Sequence, residues 1–321
     1  MVASERHSVD VRAVSRAFGA KLALDDVTLQ VERGHVQALL GRNGAGKTTL
    51  LRILAGLLTP SSGSVHVAGI DAARSPLAVR RAIGLVPSGD RSFYLRISGF
   101  ENLVFFARLQ GLRRRAAGER ALDVLAKVGL EDAARMPVGT YSHGMQKRLG
   151  VARALLTAPA VLLVDEATHD LDPEGAIAVR ALVRGAANAG AAVVWATQRV
   201  EEIKDFADGV TVLDRGHTRF GGSVVGLLAE VEQRHYVLEL RNGRAADRDL
   251  ELRLQGHLEG VGSILRRPAG APDSFVLALS NDAVLGDALS LLLDAGVTVV
   301  SCRQELSEVE AAFMAVVSEH P

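Results

Sequence analysis

Cysteine is almost missing. A single one, Cys302, stands in 321 residues, which excludes a disulfide framework and a cysteine zinc site and suits a reducing compartment. Net charge is missing too: 37 Lys and Arg balance 37 Asp and Glu. That balance argues against a polyanion binder held by bulk charge, and nucleic acid is not an expected partner; only a local basic patch stays open. Nowhere do about 18 apolar residues run without interruption, the minimum for a spanning helix. The opening MVASERHSVDVRAV carries charge within its first residues and no apolar core, so no secretory signal is expected. The chain reads as soluble, and any work at a membrane needs a partner that crosses it.

Apolar residues, in contrast, make up 48% of the chain, enough for one large domain and a smaller one. Four runs, HVQALL (35–40), IGLV (83–86), VLLV (161–164) and AAVVWA (191–196), are apolar on both faces, as buried strands of a mostly parallel sheet are. Helical stretches separate them, which indicates an α/β domain. VDVRAV near the start and VTLQV (27–31) alternate more and predict an antiparallel side sheet. Near position 230 the character changes. Tyr236, Leu238 and Leu240 share one strand face, as do Phe275, Leu277 and Leu279. Leu285, Leu289 and Leu292 fall on one helical face that Gly296 stops. Ser307 and Glu310 form a capping box ahead of a last helix. The division expected is 1–228 for the large domain and 229–321 for a small α+β domain whose role is packing or regulation.

GRNGAGKTT follows the strand HVQALL and precedes LLRILAGLL. In that strand–loop–helix context, the backbone of Gly41, Arg42, Asn43, Gly44, Ala45 and Gly46 converges its N–H groups on phosphate oxygens. Lys47 reaches the β- and γ-phosphates, Thr48 ligates Mg²⁺, and Thr49 continues the helix start with its partial positive charge. The ligand is therefore a nucleoside triphosphate. VLLVDEAT (161–168) delivers two carboxylates at the carboxyl end of a buried strand, where ligands of open α/β sheets bind. Asp165 is placed to hold Mg²⁺ and Glu166 to polarise an attacking water.

With these motifs, the first 220 or so positions resemble ABC-type ATPases. YSHGMQKRLGVARALL (141–156) resembles the family's signature segment. The resemblance implies that Ser142, His143, Gly144 and Gln146 face the γ-phosphate bound by a second subunit. Ser142 reads equally well as a helix N-cap. HDLDPEG (169–175) resembles the D-loop, with Asp172 and Pro173 also a good helix start. FGAKLALDDV resembles the stretch whose aromatic stacks on adenine, which makes Phe18 the candidate, a core phenylalanine being the alternative. Two positions depart from the family pattern. Ser88 stands where a glutamine that touches Mg²⁺ is usual, with Asp90 a possible substitute. Gln198, at the end of AAVVWATQ just before a predicted helix, stands where a histidine usually contacts the γ-phosphate. An amide can donate the same hydrogen bond but cannot carry charge. ATP sensing should survive and hydrolysis slow; a solvated loop residue is the alternative.

The fold implied is a P-loop ABC ATPase domain with a helical subdomain over about 88–158. The function implied is the ATP-binding and hydrolysing subunit of a membrane exporter, with ATP and Mg²⁺ as cofactors. Its partners would be a second ATPase subunit, as homodimer or heterodimer, and an ABC-2-like transmembrane permease that holds it on the cytoplasmic face of the membrane. A translation or DNA-maintenance ATPase lacks support, since neither a second cassette nor a long coiled coil is present. An ATP sensor with slow turnover is the further alternative that Ser88 and Gln198 raise.

Overall fold

A computed structural model describes residues 7–88, 93–230, 233–241, 254–266, 274–280, 284–304 and 307–318. Asp90 lies outside them. Two compact units result, Met1–Val224 and Val225–Pro321.

In the first unit, strands β1 (His7–Phe18) and β2 (Lys21–Glu32) form a long antiparallel hairpin. Then come β3 (Val36–Leu40), helix α1 (Lys47–Leu54), β4 (Ser62–Val67), β5 (Ile70–Asp71), α2 (Pro76–Ala82) and β6 (Ile83–Val86). Three helices follow: α3 (Gly99–Leu109), α4 (Arg114–Lys127) and α5 (His143–Ala154). The unit closes with β7 (Val161–Asp165), α6 (Pro173–Asn188), β8 (Ala192–Thr197), β9 (Gly209–Asp214), β10 (His217–Ser223) and the start of α7 (Val224–Ala229). An antiparallel sheet has the order β2-β1-β4-β5. The main sheet has the order β10-β9-β3-β8-β7-β6, parallel throughout except for β10 on β9.

The continuous apolar runs have a direct consequence in the packing. Along β7, Val161 and Leu163 face a core shared with α1 and the antiparallel sheet, while Leu162 and Val164 face α5 and α6. Along β8, Val194 and Ala196 take the first side and Val193 and Trp195 the second. Both faces are covered, so strict polar alternation is absent. A third core joins Leu103 and Ala107 of α3, Ala121 and Leu125 of α4 and Leu149 and Ala152 of α5. Helix α3 starts on a complete capping box: Ser98 Oγ accepts from Glu101 N, and Glu101 accepts from Ser98 N at 2.9 Å. Of the described residues, no helix is long and apolar enough to cross a membrane.

In the second unit, β11 (Gln233–Arg241), β12 (Gly262–Arg266), β13 (Ser274–Ser280) and β14 (Thr298–Gln304) form an antiparallel sheet of order β12-β13-β11-β14. Tyr236, Leu238, Leu240, Phe275, Leu277 and Leu279 share its core with Leu292 of the helix Leu285–Asp294. Gly296 takes φ 84° just past that helix, the left-handed conformation that ends helices and that glycine adopts without penalty. Ser307 N donates to Glu310 Oε2 at 2.8 Å and Glu310 N to Ser307 Oγ at 3.2 Å, which starts the helix Glu308–Ser318.

Candidate functional site

Three strand ends converge on one edge of the main sheet. The loop after β3 carries residues 41–46 and runs into α1. β7 ends at Asp165, and β8 lies between β3 and β7. In register, Leu40 pairs with Thr197 and Asp165 with Ala196, so Gln198 leaves the sheet between the glycine-rich loop and the acidic pair. Sequence order hides this adjacency.

The loop is shaped by its glycine at the helix start. Gly46 has φ 110°, and a side chain there would meet Leu24 Cδ2 at 2.7 Å and the Ala23 carbonyl at 2.8 Å. Lys47 is buried; its Nζ donates to the Gly41 carbonyl at 2.7 Å and the Arg42 carbonyl at 3.2 Å, and lies 3.5 Å from Glu166 Oε1. Burial lowers its pKa, and the charges of Glu166 and Asp165 work against that shift. Thr48 Oγ1 donates to Asp165 Oδ2 at 3.1 Å. Burial raises the pKa of Asp165, opposed by the Thr48 hydrogen bond and by Lys47. A hydroxyl and a carboxylate held together are the oxygen donors that a hard cation such as Mg²⁺ takes, with phosphate oxygens and water filling the rest of its shell. Glu166 adopts φ 48°, a left-handed conformation. Such strain in a residue other than glycine persists where the surroundings impose it; here Glu166 N is tied to the Ala196 carbonyl at 2.9 Å.

A cavity of about 600 Å³ opens over these groups, and Asn43, Gly44, Gly46, Lys47, Thr48, Thr49 and Glu166 line it with Phe18. Phe18 is 47% exposed, so it is not a core residue. The Arg16 guanidinium stacks over its ring at 4.7 Å. Lys21, Leu22, Ala23 and Arg215 complete the lining. The first three neighbour Phe18 in sequence; Arg215 sits in the β9–β10 turn and carries no local signal. Gly41, Arg42 and Ala45 shape the loop from behind: Ala45 N donates to the Arg42 carbonyl at 3.1 Å.

Ser142, His143, Gly144 and Gln146 do not line this cavity. They start α5, where Ser142 Oγ accepts from Met145 N at 3.2 Å and Gln146 Nε2 donates to the Tyr141 carbonyl at 3.4 Å. Asp172 likewise caps α6 by accepting from Gly175 N at 2.8 Å, with Pro173 in the first turn. Ser88 is exposed and its carbonyl accepts from Lys147 Nζ at 3.4 Å. Gln198 is half-buried. The predicted helix after it is only a 3₁₀ turn, Val200–Glu202. Its geometry is local: Arg199 N bonds back to Thr197 Oγ1 at 3.0 Å, and the Glu202 side chain turns inward to Thr168 and Thr197.

The profile of the ABC transporter family matches residues 24–169. The chain is 40% identical over 223 residues to the daunorubicin resistance ATP-binding protein DrrA3 of Streptomyces coeruleorubidus, covering 70% of each protein. It is 30% identical over 309 residues to YxlF of Bacillus subtilis, an ABC transporter ATP-binding protein without a characterised role, covering 96% of this chain and 99% of the relative. Among solved structures, cbiO1 of Clostridium perfringens, part of the ABC transporter complex cbiONQ, superposes with a TM-score of 0.65 at 28% identity, over 70% of this chain and 92% of that one.

Proposed function

The chain belongs to the ABC transporter ATP-binding family, and we propose that it is the ATP-hydrolysing subunit of a membrane exporter that works with a separate, ABC-2-like permease. The observation that carries the reading is the meeting of Lys47, Thr48, Asp165 and Glu166 at one sheet edge, with Gln198 leaving the strand between them. Phe18 stacks on the adenine, and Lys47 places its charge on the β- and γ-phosphates. Thr48 and Asp165 would hold Mg²⁺, with Ser88 as a weaker ligand, and the ion would supply charge neutralisation on the phosphates. Glu166 accepts a proton from the attacking water as the water oxygen bonds to the γ-phosphorus and the bond to the ADP oxygen breaks. The Gln198 amide donates to a γ-phosphate oxygen.

Two subunits, identical or different, face head to tail, so that Ser142 and Gly144 of one complete the site of the other. The position of the α5 start outside its own subunit's cavity supports this arrangement. ATP binds the closed pair better than the open one and so shifts the equilibrium toward closure. The segment 88–115 receives the permease on the inner face of the membrane. In support, α3 presents the exposed Phe105 and Leu109 beside Phe100 and Val104 in a surface depression. The drug-resistance name of DrrA3 supports a drug-like cargo, selected by the permease.

Lys47→Ala tests the reading by nucleotide titration. Loss of a hydrogen-bonded charge of about 1.5–3 kcal/mol predicts a fall in ATP affinity of roughly tenfold or more. Affinity within about twofold of wild type would overturn the assignment of the loop.

A further inference from the structure

Glu202 is a buried carboxylate that the chemistry above leaves unused. Its side chain is only 5% exposed. Oε1 accepts from Thr168 Oγ1 at 2.6 Å and Oε2 from Thr197 Oγ1 at 3.1 Å. The two hydroxyls come from different strand exits. Thr168 is two residues beyond Glu166, and Thr197 ends β8 immediately before Gln198. Both threonines are buried. Arg180 of α6 and Arg199 approach Oε1 at 3.9 and 3.6 Å. Arg199 Nη1 also donates to the Thr168 carbonyl at 3.4 Å.

The hydrogen-bond directions are fixed by chemistry. A carboxylate only accepts, so each threonine hydroxyl donates to it. Thr197 Oγ1 accepts in turn from Arg199 N at 3.0 Å, which sets the backbone just after Gln198. One rigid planar group thus accepts one hydroxyl hydrogen bond from each loop. An apolar side chain could fill the space without the desolvation cost of a buried charge; it could not hold two loops at a set separation.

We propose that Glu202 is a positioning residue for hydrolysis: by clamping Thr168 and Thr197 it holds Glu166 and Gln198 in register over the γ-phosphate. The clamp rests on the roles given above to Glu166 and Gln198. Its hydrogen bonds and ion pairs go to Thr168, Thr197, Arg180 and Arg199 and not to the glycine-rich loop or Phe18, so its loss acts on the chemical step and not on nucleotide binding. Small displacements of reacting groups have large effects on such a step.

Thr168→Val and Thr197→Val each remove one hydroxyl at nearly constant volume. In the full-length protein, phosphate release, ATP and ADP binding and thermal unfolding are measured, with Glu166→Gln in parallel. Each valine variant is expected to lower kcat roughly tenfold, as loss of a hydrogen bond to a charged group allows, with KM and ADP affinity within about twofold. The double variant should fall well short of the product of the singles, because both act through one carboxylate. Thr168→Ser and Thr197→Ser should return kcat to near wild type. Should a valine variant not fold, Thr168→Ala and Thr197→Ala replace it. Wild-type kcat in folded variants beside an inactive Glu166→Gln overturns the clamp and leaves the site reading standing. A loss of kcat that serine does not restore also overturns it. Wild-type turnover by Glu166→Gln overturns the site reading and the clamp with it.

Discussion

Gln198 stands where the resemblance to ABC-type ATPases implies a histidine. Its place beside the acidic pair follows from β8 lying between β3 and β7. A neutral amide gives a hydrogen bond worth about 0.5–1.5 kcal/mol net and cannot add a charge. Gln198→Ala is therefore expected to lower turnover roughly threefold to tenfold while ADP binding, which lacks the γ-phosphate, stays unchanged. Gln198→His should keep or raise turnover and bring a new pH dependence near the imidazole pKa, since that ring is protonated within the neutral range. Steady-state phosphate release across pH, with ADP titration, checks both. Equal rates for all three proteins at saturating ATP would make Gln198 a bystander.

Helix α1 depends on how it begins. The chain enters it through Gly46 at φ 110°, and no side chain fits between Leu24 and the Ala23 carbonyl. Gly46→Ala adds both a clash and a left-handed penalty of about 1–2 kcal/mol. The loop is expected to relax by turning away the N–H groups that the proposed site aims at phosphate. Loss of ATP affinity should exceed loss of stability, a contrast read by nucleotide titration against denaturant unfolding. Unchanged ATP affinity would mean that the loop tolerates another entry into α1. The 3₁₀ turn at Val200–Glu202 shows the same dependence on surroundings: short-range sequence pattern allowed a helix, and inward hydrogen bonds of Thr197 and Glu202 limited it to one turn.

Assembly is where the proposed mechanism is most exposed to test. Glu166→Gln removes the proton acceptor but keeps a polar side chain of the same size. ATP should then bind, stay intact and accumulate the closed pair, seen as a doubling of mass in light scattering with ATP and not with ADP. A variant that remains monomeric with ATP and hydrolyses at the wild-type rate would remove Glu166 from the chemistry. Ser142→Ala distinguishes its two readings. As a helix cap alone it costs about 1 kcal/mol of stability and leaves turnover intact; as a contact across the pair it lowers the ATP-dependent mass increase.

The amino-acid sequence alone determined the parts whose chemistry is local. GRNGAGKTT between a strand and a helix, and VLLVDE ending in two acids, specify a phosphate site because backbone geometry and side-chain type act within a few residues. Short apolar runs bounded by turn residues likewise marked the buried strands, since a strand covered on both faces is apolar at nearly every position. Ser307 and Glu310 marked a helix start for the same reason: a capping box closes over three residues. The relations between distant segments came only with the fold. That Gln198 emerges between the glycine-rich loop and Asp165 depends on β8 inserting between β3 and β7, and strand order is not written in any one strand. Arg215 reached the cavity through a turn, and Glu202 joined two strand exits from a segment that reads as an ordinary acidic helix face. Their neighbours are chosen by long-range packing of the sheet and α6, which brings residues far apart in the chain within hydrogen-bond distance.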